Sequence, residues 1–132
     1  MRHLIFIYGS LRRGSPGSIL LRFPRAEFIA ETKVRGDLYD LGAYPGLQLS
    51  YSDSLVSGEL YEIDEETLKL LDEFEESSNY RRAQFEISLG AETRQCWTYE
   101  PYPSFYSLRK LITSGDWIEY SKARTPADQA GL

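Results

Sequence analysis

The chain has 132 residues, a formal net charge of −5, one cysteine (Cys96) and one histidine (His3). This length fits a single domain, and one thiol with one imidazole excludes both an internal disulfide and a zinc site of the usual Cys/His kind. A net negative chain lacks the basic face that binds nucleic acid, and no apolar run reaches the roughly 18 residues of a membrane span. Without a visible export signal, we expect a cytoplasmic protein with neither nucleic-acid nor membrane partners.

The first predicted element is a fully buried strand over residues 3–8. Its apolar run, Leu4 to Tyr8, is short, rich in β-branched and aromatic residues, and ends at Gly9. Residues 9–18 then form a long loop. Apolar positions between charges predict strand-rich structure over residues 28–41, a turn at residues 42–46 and a strand at residues 56–63.

The clearest predicted helix runs from Asp64 to Glu76. Asp64 is a favourable N-cap, and Glu65 and Glu66 complement the helix dipole. Residues 82–89 alternate as a half-buried strand, which turns at residues 90–92 into a second strand over residues 93–99. A short helix is predicted within residues 108–112. Residues 114–120 are predicted to form a turn that leads into a second short helix.

These elements predict one mixed α+β domain over residues 1–124, dominated by a strongly bent sheet or a small barrel. The last stretch, residues 125–132, is small and polar, and is predicted to be a disordered tail.

One carboxylate of the predicted helix lies on its apolar side. At about 100° per residue, Glu75 falls inside the apolar arc, whereas Asp72 sits at its margin and the other acidic residues lie opposite. The arc consists of Leu68, Leu70, Leu71 and Phe74. Desolvation raises the pKa of such a carboxyl toward the range useful for proton transfer. The alternative is an ion pair of Glu75 with Arg81 or Arg82 at the rim.

The glycine-containing loop after the first strand can present several backbone N–H groups to one point, and so hold a carboxylate or an oxyanion. Gly9 and Gly14 are spaced as in a phosphate-binding loop. However, Ser15 and Pro16 stand where that motif needs Lys and Ser/Thr, which argues against a nucleotide. An ordinary strand-to-loop turn is the alternative.

Other catalytic constellations are weaker. Ser10 is a poor candidate for the nucleophile of a serine hydrolase, because His3 is the sole histidine and the Gly-x-Ser-x-Gly turn is absent. Asp72 and Glu75 have a spacing possible for a glycosidase pair, although solvation explains Asp72 equally well. Cys96 is predicted to be a packing residue. A run of aromatic residues fits either a ligand cavity or the core: Trp97, Tyr99, Tyr102, Phe105 and Tyr106.

Five short motifs occur in order along the chain: Tyr8-Gly9-Ser10-Leu11, Tyr44-Pro45-Gly46, Gly58-Glu59-Leu60-Tyr61, Leu71-Asp72-Glu73-Phe74-Glu75 and Tyr80-Arg81-Arg82. Over about residues 3–120 the chain thereby resembles the gamma-glutamylcyclotransferase-like superfamily. Within it, the chain is most similar to the branch of gamma-glutamylamine cyclotransferases and avirulence-induced-gene-like proteins.

This resemblance implies a BtrG-like fold, a small mixed β-barrel with flanking helices. It also implies an intramolecular aminolysis that needs no metal or other cofactor and releases 5-oxoproline from a γ-glutamyl amine or γ-glutamyl amino compound. Glu75 corresponds to the catalytic acid/base of the family. The substrate-binding residues correspond to Tyr8, Gly9, Ser10, Leu11, Tyr80 and Arg82.

Two positions depart from the family pattern. Ser10 stands where Thr is common, and Glu76 stands where Gly is frequent. The hydroxyl is therefore kept, while the helix end gains a charge beside Glu75. A non-catalytic module that binds a small molecule or a partner on the same fold is the alternative function.

Overall fold

The computed structural model describes residues 2–13, 17–50, 53–103 and 109–123. Its strands are β1 (Arg2–Ile7), β2 (Glu27–Asp40), β3 (Pro45–Leu49), β4 (Leu55–Asp64), β5 (Tyr80–Leu89), β6 (Glu92–Pro101) and β7 (Lys110–Leu111). The helices are α1 (Ile19–Arg22), α2 (Glu65–Glu76) and α3 (Trp117–Ala123). None of the helices in these ranges has the length and apolar character needed to span a bilayer.

The strands form one mixed sheet in the order β3-β2-β4-β1-β6-β5, with β7 added beside the end of β2. All neighbours are antiparallel except β1 and β6, which are parallel. The long strand β2 pairs with β4 along its first part and with β3 along its last part. The sheet curls into a half-barrel, which confirms the predicted α+β class and the bent sheet.

Hydrogen bonds between β3 and the β1/β6 region hold the curl closed. The Tyr8 hydroxyl donates to the carbonyl oxygen of Tyr99 at 2.6 Å and accepts from the backbone N–H of Leu47 at 3.1 Å. The backbone N–H of Leu49 donates to a carboxylate oxygen of Glu100 at 2.8 Å. The end of β1 is therefore fixed between two strands that are not its neighbours in sequence.

The strand β1 is buried on both faces, as predicted. Leu4 and Phe6 belong to one core cluster, whereas Ile5 and Ile7 belong to another. This division follows from the alternation of side chains along a strand. The second cluster lies under α2, because it includes Leu68 and Leu71.

The helix α2 begins as predicted, since a carboxylate oxygen of Asp64 accepts from the backbone N–H of Thr67 at 2.8 Å. Its buried side is narrower than the predicted apolar arc. Leu68 and Leu71 are buried, but Leu70 is 44% exposed and Phe74 is 36% exposed. Helix α2 therefore covers the sheet with only part of its apolar arc.

The remaining differences lie near the chain ends. Helix α1, absent from the prediction, is capped by Ser18, whose hydroxyl accepts from the backbone N–H of Leu20. Residues 110–111 form β7 rather than a helix, because Lys110 and Leu111 pair with the end of β2. The short helix predicted there is thus wrong within the described residues. Helix α3 confirms the last predicted helix. The expected tail, residues 125–132, lies outside the described residues.

Candidate active site

A cavity of about 360 Å³ opens at the end of β1, between the loop that follows this strand and helix α2. Its volume lies within the range of small-molecule pockets. It is lined by Phe6, Ile7, Tyr8, Gly9, Ser10, Leu11, Gly17, Arg22, Tyr44, Pro45, Phe74, Glu75, Ser78, Tyr80 and Tyr99. Six of the seven predicted site residues therefore come together around one space.

The partly buried carboxyl of Glu75 lines this cavity. It has no hydrogen bond or ion pair with any residue in the described ranges, and burial alone raises its pKa to about 7. The rim arginines are engaged elsewhere: Arg81 lies over the Tyr102 ring at 5.7 Å, and Arg82 lies over the Trp97 ring at 4.2 Å. In this geometry Glu75 is a desolvated acid rather than half of an ion pair.

Tyr80 forms a second wall of the cavity. Its hydroxyl donates a hydrogen bond to the backbone carbonyl of Pro45, which joins β5 to the start of β3. Burial first, and then the nearby charge of Glu75, raise the pKa of the Tyr80 hydroxyl. Tyr80 therefore remains a neutral hydrogen-bond donor across the ordinary pH range.

The loop after β1 supplies two backbone donors beside the cavity. Leu11 is buried and Ser10 is exposed, and their backbone N–H groups have no acceptor among the described residues. The chain continues in a tight turn, since the N–H of Arg12 donates to the carbonyl of Gly9 at 3.1 Å. A side chain at Gly9 would approach Pro45 to 3.0 Å, so glycine allows the loop to lie close to β3.

Arg82 is the predicted site residue that does not line the cavity. One nitrogen of its guanidinium lies 3.6 Å from a carboxylate oxygen of Asp72 on α2. From this position it braces the helix that carries Glu75, and a contact between Arg82 and a substrate stays a prediction.

The sequence motifs assigned no role to several cavity residues. The guanidinium of Arg22, at the end of α1, lies 5.1 Å from the centre of the Phe74 ring on α2. Ser78 and Tyr99 also line the space. Only Tyr99 gave a signal, as part of the aromatic run. Arg22 and Ser78 gave none, because their positions depend on how the helices pack.

The described ranges contain no group of three His, Cys, Asp or Glu side chains arranged to hold a metal ion. Among the residues that the structure describes, the charged side chains that line the cavity are those of Glu75 and Arg22. The site therefore combines one desolvated carboxyl, unpaired backbone donors and one cation at its edge. Such an arrangement can bind a carboxylate and move a proton.

The model of the gamma-glutamyl cyclotransferase, AIG2-like family matches residues 5–119. The chain belongs to this family. It is 41% identical over 120 residues to a Vibrio cholerae protein whose name assigns it provisionally to the gamma-glutamylcyclotransferases, a match that covers 90% of this chain and 98% of that protein. It is 33% identical over 141 residues to a Homo sapiens gamma-glutamylaminecyclotransferase, with coverage of 98% and 84%.

A solved Mus musculus AIG2-like protein superposes with a TM-score of 0.70 and 25% identity, over 88% of each chain. The fold is thus that of the family. Together with the named relatives, these relationships identify a gamma-glutamylcyclotransferase-like enzyme. They favour catalysis over the alternative of a non-catalytic binding module.

Proposed function

We propose that this enzyme closes the γ-glutamyl unit of a γ-glutamyl amine or γ-glutamyl amino compound into 5-oxoproline, with Glu75 as the general acid/base. The observation that carries the proposal is the carboxyl of Glu75, which lines the cavity without an ionic partner among the described residues. The relatives' names support the reaction class.

The substrate's α-carboxylate is suited to the loop after β1. Ser10 and Leu11 line the cavity, and their backbone N–H groups have no acceptor within the described part of the chain. Amide donors of this kind stabilise a carboxylate or a developing oxyanion without moving. The Tyr80 hydroxyl completes the opposite wall.

With the substrate held in this way, the enzyme's own chemical task is to transfer protons. The substrate's α-ammonium gives a proton to the Glu75 carboxylate, and its nitrogen attacks the γ-carbonyl carbon. The new C–N bond closes the five-membered ring, and the old C–N bond breaks as the leaving nitrogen takes the proton from Glu75. The ring nitrogen gives its second proton to the Glu75 carboxylate, which passes it to the released amine or to solvent and is thereby regenerated. Because nucleophile and carbonyl belong to one molecule, the substrate itself supplies their proximity.

The raised pKa of Glu75 suits this task. An α-ammonium is a much weaker acid than a carboxyl, so transfer of its proton to an ordinary glutamate, with a pKa near about 4.3, is uphill by several units. Transfer to a carboxyl with a pKa of about 7 is much closer to balanced. Each unit of mismatch costs about 1.4 kcal/mol, so burial removes a large part of the cost of the first step.

The proposal is tested by incubating the wild-type protein with a panel of γ-glutamyl amines and γ-glutamyl amino acids. We expect 5-oxoproline and the free amine to appear in equal amounts from at least one class. Release of glutamate would instead indicate hydrolysis. Either that result, or no turnover of any member of the panel, would overturn the proposal. The same panel identifies the preferred leaving group.

A further inference from the structure

A second carboxylate, that of Glu59 on β4, lies buried beneath the loop after β1. Glu59 is only 2% exposed. One of its oxygens accepts from the backbone N–H of Arg13 at 2.9 Å and from the Tyr61 hydroxyl at 2.7 Å. Its other oxygen accepts from Nε of Arg12 at 3.4 Å. Two of the three donors therefore belong to the loop.

This carboxylate anchors the loop at Arg12 and Arg13. The near end is fixed by Tyr8, whose hydroxyl is bonded to β3 and β6. Between these anchors, the backbone N–H groups of Ser10 and Leu11 have no acceptor in the residues that the structure describes. Their positions consequently depend on these two anchors and on the Leu11 carbonyl, which accepts from the backbone N–H of Ile19 at 2.7 Å.

Further contacts tie the same anchor to the rest of the domain. The guanidinium of Arg12 also donates to a carboxylate oxygen of Asp116 at 3.0 Å, just before α3. The guanidinium of Arg13 lies 3.8 Å from the centre of the Phe28 ring, which in turn packs edge-on against Tyr61. Glu59 thus lies at the centre of a network that joins the loop to β2, β4 and α3.

A buried charge needs a reason other than stability. Removing a carboxylate from water is costly, and apolar residues of similar volume often serve a core equally well. A carboxylate, however, can hold a backbone N–H and a guanidinium in one fixed geometry. Glu59 does not line the cavity, so its effect on a ligand must pass through the loop.

We propose that Glu59 is a positioning residue, which holds the loop so that the N–H groups of Ser10 and Leu11 receive the substrate carboxylate. The inference rests on the proposed function, since it assigns the loop to the substrate. It predicts that loss of Glu59 impairs binding of the substrate, while proton transfer by Glu75 persists.

The test compares Glu59→Gln with Glu31→Gln as a matched control. Glu31 accepts from the guanidinium of Arg13 at 2.9 Å, but its side chain is 69% exposed and does not hold the loop backbone. For Glu59→Gln we expect KM, and the Kd of 5-oxoproline, to rise about tenfold, as the loss of a charged hydrogen-bond network predicts. The pH midpoint of kcat should stay at the wild-type value, and Glu31→Gln should match wild type.

Amide exchange of the loop supplies a readout that does not need turnover. In Glu59→Gln the hydrogen-bonded backbone N–H groups of Arg12 and Arg13 should exchange faster than in wild type. Unchanged exchange together with unchanged KM would overturn the positioning role. If the wild-type protein turned over no substrate, the proposed function would be overturned. The exchange experiment would still decide whether Glu59 orders the loop.

If Glu59→Gln fails to fold, Tyr61→Phe gives a milder version of the same experiment. It removes one donor to the carboxylate and leaves both loop contacts in place. KM should then rise about two- to threefold, and loop exchange should accelerate slightly. Wild-type values for both in Tyr61→Phe would overturn the inference.

Discussion

The hydroxyl of Tyr99 donates a 2.7 Å hydrogen bond to a carboxylate oxygen of Asp72, one turn before Glu75 on the same helix. The guanidinium of Arg82 lies 3.6 Å from the other oxygen of Asp72. Asp72 is absent from the cavity lining, whereas Glu75 belongs to it. Asp72 and Glu75 are therefore poorly placed to act together as the two carboxylates of a glycosidase. Asp72 instead fixes α2 on the sheet.

Replacing Tyr99 with phenylalanine should loosen this attachment. The variant leaves a partly buried oxygen of Asp72 without its hydroxyl donor, and we expect the free energy of unfolding to fall by about 1–2 kcal/mol. Urea denaturation measures the change. Tyr102→Phe, at an exposed position just after the end of the same strand, is the control and should change stability little. Equal stabilities of the two variants would show that the Tyr99 bond does not secure the helix.

The stability of the protein should depend on pH through Glu75. Its pKa is about 7 in the folded state and about 4.5 when solvated. Between these values the folded chain keeps a proton that the unfolded chain has lost, so the free energy of unfolding falls as pH rises. Glu75→Gln lacks this titration. Its stability relative to wild type should therefore increase between pH 4 and pH 9, by no more than about 3 kcal/mol.

Urea denaturation of both proteins at several pH values measures this difference. Glu76→Gln, which removes the exposed neighbouring carboxyl, serves as the control and should show little pH-dependent change relative to wild type. A constant difference between wild type and Glu75→Gln across the pH range would contradict a desolvated Glu75.

The same ionisation should appear in the pH dependence of kcat/KM. The free enzyme needs Glu75 as a carboxylate and the substrate needs its ammonium, so the profile should rise through about pH 7 and fall at the pKa of the substrate's amino group. Substrates with a less basic α-amino group should move the upper limb only. A profile without an inflection near neutrality would argue against Glu75 as the proton acceptor.

The segment that leads into α3 makes a tight backbone contact with β4 at Gly115. Its φ is +67°, and an added Cβ would lie 1.9 Å from the carbonyl oxygen of Leu55. Gly115→Ala should therefore cost at least about 3 kcal/mol of stability. Gly90 is the matched control, since its φ is +62° but nothing lies near its added Cβ.

Gly90→Ala should cost only the conformational term of about 1 kcal/mol. Thermal or urea unfolding of the two variants separates the two contributions. Similar losses for both glycines would mean that the contact with Leu55 relaxes without cost.

Much of the architecture could be predicted because it is encoded locally. The N-cap at Asp64, the buried run of β1 and the alternation in β5 are patterns within a few residues of sequence. The phase of α2 also singled out Glu75, because a carboxyl inside an apolar arc stands out without any tertiary information.

Other features depend on contacts between distant residues, and the sequence could not reveal them. Strand β7 exists because Leu111 pairs with Tyr39, about seventy positions earlier. Helix α1 is a four-residue turn whose place is fixed by packing. Arg82 shares a strand face with Tyr80 but lies about 7 Å further along it, which carries it past the edge of the cavity and onto Asp72.

The rate of 5-oxoproline release by Glu75→Gln, measured on the best substrate of the panel, tests whether Glu75 is the general acid/base. Glu73→Gln is the matched control, because Glu73 is exposed on the same helix. With both variants shown to be folded, we expect Glu75→Gln to lose at least about 100-fold in kcat, the usual contribution of a general acid/base, and Glu73→Gln to match wild type. A Glu75→Gln variant with wild-type kcat would show that Glu75 is not the general acid/base.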